Sequence, residues 1–254
     1  EENTTDSGTS DGTASAPVEL TVGTAKSGGI AYNGYSYYKF TTSATGAGNY
    51  KFAIASMTVT DGWGSSALST YLYSNSGMTS SSRLDSESCA ASCTLYFDYE
   101  NLDASKSYYL KLSAYGTITY SLTVSKGNSE GSKNNPVELT LGTAHSGTID
   151  NIAANWEYGY SYYKFTTASA DNYTLSMNNS DSLDCSLYSN SGFSSSVSSY
   201  YNDCTAGTNL SKTFTGTSSS VGLLSGTSYY LRIEGTSSTL KTTTYNITVA
   251  AEGN

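Results

Sequence analysis

Two stretches of this chain are nearly the same sentence written twice. PVELTVGTAKSG from Pro17 to Gly28 returns as PVELTLGTAHSG from Pro136 to Gly147, and GYSYYKFTT from Gly34 to Thr42 returns unchanged from Gly159 to Thr167. The order continues with LYSNSG at Leu72 and Leu187, SYYLKL at Ser107 against SYYLRI at Ser228, and YSLTV at Tyr120 against YNITV at Tyr245. A period above 100 residues is too long for a solenoid unit, which needs its neighbours to bury a core, and it matches an independent domain. The chain therefore reads as one fold used twice. The expected organisation is a polar N-terminal arm over 1–16, a first domain over 17–125, a linker over 126–135 and a second domain over 136–250.

Within each repeat the apolar period is two. YSLTV sets Tyr120, Leu122 and Val124 on one side of an extended chain and Ser121 and Thr123 on the other, which is strand periodicity. Strands are expected around 18–22, 36–42, 49–54, 69–74, 95–99, 107–114 and 119–124, separated by Gly, Asn and Ser clusters. The second repeat copies them around 137–141, 161–167, 172–177, 185–189, 210–215, 228–234 and 244–249. No segment carries a 3.6-residue period, and the Thr and Tyr content suits β structure. The fold class expected is all-β: two tandem homologous antiparallel β-sandwich, jelly-roll-like domains, with a closed barrel as the alternative.

The pleat also sorts the tyrosines. It turns Tyr38, Phe40, Tyr108, Leu110 and Leu112 inward in the first repeat, and Tyr229, Leu231 and Ile233 inward in the second. It leaves an outer set of Tyr35, Tyr37, Tyr73 and Tyr109, matched by Tyr160, Tyr162, Tyr188 and Tyr230. These eight are the expected assembly or binding face.

Composition narrows the partners. The hydrophobic fraction is 37% and the charged fraction only 13%, so Ser, Thr, Asn and Gly carry the surface. A net charge of -9 repels a phosphate backbone, and 12 Lys and Arg in the whole chain are few for counterion release. Nucleic acid is not an expected partner. No window holds the roughly 18 consecutive apolar residues of a membrane-spanning helix. The sequence opens at Glu1 without an apolar leader, and the expectation is an extracellular or cell-surface protein secreted through a cleaved signal peptide. Residues 1–16 hold no large apolar side chain, so the arm orders only against its own domain or a neighbouring molecule.

Four cysteines fall two per repeat. Cys89 and Cys204 hold the same place, seventeen residues after Leu72 and Leu187, but their partners differ. Cys204 pairs with Cys185, while the position matching Cys185 is Thr70, which sends Cys89 to Cys93. Free thiols in a reducing compartment are the alternative, and a partnered pair in each repeat favours an oxidising one. Zinc is disfavoured because the spacings are not those of ligand knuckles and no His accompanies them.

With the strand order in hand, the chain resembles the bacterial pre-peptidase C-terminal domain, a β-sandwich module of secreted proteins. The residues that carry the resemblance are the opening NNPVELTLG with Glu130 upstream, the YSYYKF strand, the LYS strand with its SNSG turn, and GTSYYLRIEG followed by YNITV. It spans 17–125 and 134–249. Such domains are appendages of secreted hydrolases or adhesins, which implies no active site. Some members, like the similar collagen-binding domains of collagenases, hold calcium with acids of the opening segment and a D-x-D before the YYxF strand. Here that place reads Gly34, Tyr35, Ser36 and Gly159, Tyr160, Ser161. A hard cation loses its charged oxygens, so neither metal nor cofactor is expected.

Catalytic constellations are also missing from the pattern. His145 is the only histidine and its counterpart is Lys26, so no triad can be built on it. The acid pairs Asp98 with Glu100 and Asp181 with Asp184 do not recur in both repeats, and no enzyme is expected. Trp63, in the turn Asp61 to Gly64, and Trp156, in an insertion before the second YSYYKF, are candidates for stacking on sugar. The functional expectation is a secreted, non-catalytic structural subunit that self-assembles into a filament, sheath or surface layer through its tyrosine faces and arm. The alternatives are a cell-surface adhesin, a carbohydrate-binding module with polysaccharide as partner, or an appendage of a secreted hydrolase.

Overall fold

In the computed structural model the described residues are 10–61, 68–90, 93–151, 159–204, 207–214, 222–235 and 241–252, with side chains left out at 61, 94–100, 151, 198–203, 207–212 and 214. The chain forms two compact units. One is built from residues up to Thr45, Tyr50–Phe97 and Ser105–Lys126; the other from Gly46–Asn49, Asp98–Ala104 and the residues from Gly127 onward.

The first unit contains β1 (Val18–Glu19), β2 (Lys26–Ile30), β3 (Tyr35–Thr41), β4 (Gly48–Asp61), β5 (Leu68–Tyr73), β6 (Arg83–Cys89), β7 (Cys93–Leu102), β8 (Ser107–Ser113) and β9 (Thr117–Lys126), with a short 3-10 turn at Ser80–Ser82, except that the start of β4 up to Asn49 and the end of β7 from Asp98 belong to the second unit. They form a five-stranded sheet in the order β1-β3-β8-β5-β6 and a four-stranded sheet in the order β2-β9-β4-β7. The inward side chains are those the pleat predicts: Tyr38, Phe40, Tyr108, Leu110 and Leu112 from the larger sheet, and Tyr120, Leu122 and Val124 from the smaller, are all buried. Phe40 joins the layers, its ring centroid 5.6 Å from those of Tyr50 and Phe52 on the opposite sheet. Each such side chain contributes about 1.5–3 kcal/mol by leaving water.

The second unit contains β10 (Val137–Glu138), β11 (His145–Asn151), β12 (Tyr160–Thr166), β13 (Tyr173–Asn179), β14 (Leu183–Tyr188), β15 (Ser196–Cys204), β16 (Gly207–Phe214), β17 (Ser228–Gly235) and β18 (Lys241–Ala251). Its sheets run β10-β12-β17-β14-β15 and β11-β18-β13-β16, the same topology strand for strand. The core is centred on Phe165, Tyr173, Tyr229, Leu231, Ile233, Tyr245, Ile247 and Val249. Both units are thus β-sandwiches. Register is conserved between them too. The opening two-residue strand pairs in parallel, Val18 with Tyr38 and Val137 with Tyr163, while the other described pairings are antiparallel.

Four strands lie where the sequence reading placed none: β2, β6, β11 and β15. KSGGI and HSGTIDN carry glycines where alternation would show, and RLDSESC is polar on both faces. Glycine is required in the first two. A Cβ on Gly28 would stand 2.6 Å from Asp11 Oδ2, and one on Gly147 would stand 2.7 Å from the Tyr163 hydroxyl.

Residues 10–16 of the stretch expected as an arm, and the stretch expected as a linker, take equivalent places against the two sandwiches. Ser10-Asp11-Gly12 and Ser129-Glu130-Gly131 match, both glycines having positive φ, 63° and 66°. The Tyr37 amide donates to Asp11 O and the Tyr162 amide to Glu130 O, both at 2.8 Å. Ser129 and Ser132 are fully buried. These segments order through hydrogen bonds to buried groups, a gain that apolar composition does not register.

Candidate binding groove

Period two places all eight expected tyrosines on the outer face of a five-stranded sheet, and the structure keeps them there. Exposure is another matter. Tyr35 is exposed, Tyr37, Tyr109, Tyr160 and Tyr230 are half-buried, and Tyr73, Tyr162 and Tyr188 are buried. The expectation of an external set is corrected at these last three positions. The reason is lateral crowding: a ring on the outer face disappears from water when the adjacent strands also present long side chains at the same register. Tyr73 stands opposite Tyr109 and Tyr162 opposite Arg232. Burial, more than offsetting the nearby Arg83 cation, raises the Tyr73 pKa.

In the first unit this face opens into a groove of about 570 Å³, lined among others by Tyr35, Tyr71, Tyr73, Tyr115, Arg83 and Lys111. Lys111, on the central strand β8, sets its Nζ 4.0 Å above the Tyr35 ring. Arg83, at the start of the edge strand β6, has its Cζ 6.0 Å from the Tyr71 ring. Tyr115, just beyond β8, is 80% exposed. Ser69, Ser113 and Asn33 supply hydroxyl and amide groups along the walls. No carboxylate appears among the described lining residues. Glu87 lines an adjoining hollow of about 200 Å³ that shares Ser69 and Tyr71 with the groove.

On the corresponding face of the second unit the described tyrosine rings are covered. Phe193, from the turn after β14, sets its ring against Tyr162, Tyr188 and Tyr230 at 4.9, 5.4 and 5.6 Å. Together they form a small outer core of their own. Arg232, at the place of Lys111, is neutralised by Glu234 at 3.2 Å, where the first unit has Ser113. Burial raises the Glu234 pKa, opposed by the Arg232 charge. Met78 stands at the place of Phe193 and Tyr71 at that of Ser186. Open groove and closed face follow from these few exchanges on one backbone plan.

The remaining site residues of the sequence reading distribute as follows. Both disulfides are formed as paired there, Cys89 with Cys93 and Cys185 with Cys204. His145 Nε2 lies 2.8 Å from Glu130 Oε2, a contact that anchors the start of the second unit. Trp63 and Trp156 lie outside the described residues. No group of three or more His, Cys, Asp or Glu able to hold a metal occurs among the described residues, and none of their helices is long and apolar enough to cross a membrane. Sequence reasoning did not assign Lys111, Arg83, Tyr71 or Tyr115 to a site. The signal available was the unequal exchange between repeats, Ser113 for Glu234 above all, in a chain otherwise copied closely.

No family model matches the chain, and no curated protein matches it. Among solved structures it is similar to the pre-peptidase C-terminal domain of a collagenase from Bacillus anthracis, with 19% identity over 45% of this chain and 94% of that one and a TM-score of 0.33. It is also similar to the PBSX exported protein XepA, with 10% identity, coverage of 91% and 88%, and a TM-score of 0.26. A candidate secreted protein from Eubacterium rectale follows with 11% identity, coverage of 97% and 83%, and a TM-score of 0.25.

Proposed function

We propose that this protein is an extracellular, non-catalytic binding protein, an adhesin or carbohydrate-binding module, that holds its ligand in the groove of the first unit. The observation that carries this reading is the contrast between two copies of one sheet face: the second is plugged by Phe193 and its own ion pair, whereas the first keeps a groove with exposed rings. Its volume falls within the range of about 300–1,000 Å³ usual for ligand sites. One disulfide in each repeat supports an oxidising, extracellular setting. Tyrosine rings offer large contact area at little conformational cost. A glycan array probed with the whole chain tests the reading: binding that disappears in Tyr115→Ala supports it, and an array blank at high protein concentration defeats it.

A second reading, the self-assembling subunit of a filament, sheath or surface layer, is favoured by large apolar side chains left exposed outside the groove, Tyr32 at 60% in the first unit and Leu224 at 61% in the second. An open polymer needs two complementary patches per subunit. Negative-stain images and size exclusion of the secreted protein test it. Filaments support this reading, and a 26.8 kDa monomer at high concentration removes it.

A further inference from the structure

We infer that the groove of the first unit selects an acidic polysaccharide, one carrying carboxylate or sulfate groups on its sugar rings. The inference rests on the binding reading above and deepens it from a groove to a ligand class.

Charge is the first support. The chain carries a net charge of -9, yet the described residues lining this groove include two cations, Arg83 and Lys111, and no acid. Two of only 12 basic residues thus line one groove whose described walls hold no acid, with Glu87 in the adjoining hollow, and two such cations attract an anion. A guanidinium presents paired N–H donors that match the two oxygens of a carboxylate or sulfate, and an ammonium adds a point charge. The second unit supplies the internal comparison. There the equivalent cation, Arg232, is already satisfied by Glu234 at 3.2 Å. In the first unit Ser113 replaces that acid, so Lys111 meets a neutral hydroxyl neighbour at the same register, across from Tyr35.

Shape and the rings supply the second support, and they separate a sugar from a small anion. Tyr35 is 47% and Tyr115 80% exposed, and with Tyr71 they give the groove several aromatic faces for the C–H faces of sugar rings. Ser69, Ser113 and Asn33 offer hydroxyl and amide partners for sugar hydroxyls. A phosphate ion would use the cations and leave the rings and most of the volume empty. An acidic polysaccharide uses all three kinds of group at once.

The test is binding of the full chain, by calorimetry at low salt, to oligogalacturonate, to dextran sulfate, to neutral dextran and to poly-glutamate. The expected result is binding to one or both acidic glycans, weakened about tenfold by either Arg83→Ala or Lys111→Ala and strongly by 0.5 M salt. Lys164→Ala, which removes a half-buried cation of the second unit paired with Glu138, serves as the charge control and should bind normally. The two acidic arms tell carboxylate from sulfate recognition. Equal affinity for dextran overturns the inference while leaving the binding reading standing, and poly-glutamate binding as tightly as the glycans overturns it in favour of an acidic protein partner. Acidic-glycan binding untouched by the Arg83 and Lys111 variants, with their melting temperatures unchanged, overturns it as well. Silence in all four arms removes the binding reading itself.

Discussion

The Tyr38 hydroxyl donates to Asp11 Oδ2 at 2.7 Å, and the same oxygen accepts the Gly29 amide at 2.8 Å. Tyr120 closes the group, its hydroxyl 2.8 Å from that of Tyr38. The second unit repeats the arrangement with a longer acid: Tyr163 donates to Glu130 Oε2 at 2.8 Å, and its hydroxyl lies 2.5 Å from that of Tyr245. Burial pushes the Tyr38 and Tyr163 hydroxyls far above the ordinary phenol range, and the neighbouring tyrosine and carboxylate add to it. Both therefore stay protonated and serve as donors. A carboxylate from the polar opening segment thus completes the polar end of an otherwise apolar core; glycine at 28 leaves room for the carboxylate and the Tyr38 hydroxyl, and glycine at 147 for Tyr163 and Tyr245.

Asp11→Ala is expected to destabilise the first unit by about 2 kcal/mol, since it strips the Gly29 amide and the Tyr38 hydroxyl of a charged acceptor. Urea unfolding monitored by tyrosine fluorescence checks this through the midpoint at constant slope. A midpoint equal to that of the unsubstituted chain would show that the opening segment does not hold the fold.

Acid should find the second unit at Asp150. Burial alone would raise the Asp150 pKa, but the hydrogen bonds it accepts from the Asn128 side chain and amide, from Asn49 and from Thr242 outweigh that and hold it at about 2. The Asn128 amide lies at 2.9 Å, the Asn49 amide group at 3.0 Å and the Thr242 hydroxyl at 2.8 Å. A folded pKa below the unfolded value of about 3.9 stabilises above that value, and the contribution is lost as pH falls from about 4 to about 2. Thermal melts across this window should show a fall in Tm that is blunted in Asp150→Asn. At neutral pH that variant should lose about 2 kcal/mol, because its amide cannot accept from all these donors. Parallel pH profiles for the two proteins would contradict the assignment.

The two disulfides should not be equivalent. Cys185 and Cys204 are fully buried and stand 19 residues apart, against 4 for Cys89 and Cys93. Loop-closure entropy gives about 3 kcal/mol for the first and about 2 kcal/mol for the second. Burial widens the gap, since paired serines at 185 and 204 would bring hydroxyls into the core. The double serine variant at 185 and 204 should therefore melt lower than the one at 89 and 93, and an equal or reversed order would refute this.

What the sequence discloses here follows the strength of its period. Tyr108, Leu110 and Leu112 alternate with polar neighbours, and their burial is readable from the letters alone. Lys26 to Ile30 is hidden because its place in the sheet is fixed by what crosses it, the Tyr38 hydroxyl and the Tyr120 ring over Gly28, and no local pattern records a crossing contact. The groove is hidden for a related reason. Alternation assigns Tyr37 and Tyr162 to equivalent outer faces, but whether a ring there meets water depends on a residue from another strand or turn: the first is half-buried and the second lies buried under Phe193. Comparing the repeats position by position reveals what either alone conceals, since Met78 against Phe193 and Ser113 against Glu234 mark where the copies have parted.

Phe193 should prove the hinge of that divergence. It holds φ at 51°, a left-handed conformation costing a non-glycine residue about 1–2 kcal/mol, and it is 7% exposed. Its contacts with Tyr162, Tyr188 and Tyr230 offset that cost and seal the outer face. Phe193→Ala should lower stability by about 3 kcal/mol and raise the acrylamide quenching of tyrosine fluorescence, as Tyr162 and Tyr188 come into contact with water. Phe193→Met, which copies the first repeat, should cost less, because a flexible thioether still covers part of the rings. Neither variant should gain affinity for an acidic glycan through this face, because Arg232 remains paired with Glu234. If Phe193→Ala left both the unfolding midpoint and the quenching unchanged, the outer core of the second unit would contribute nothing, and the contrast between a closed face and an open groove would lose its physical basis.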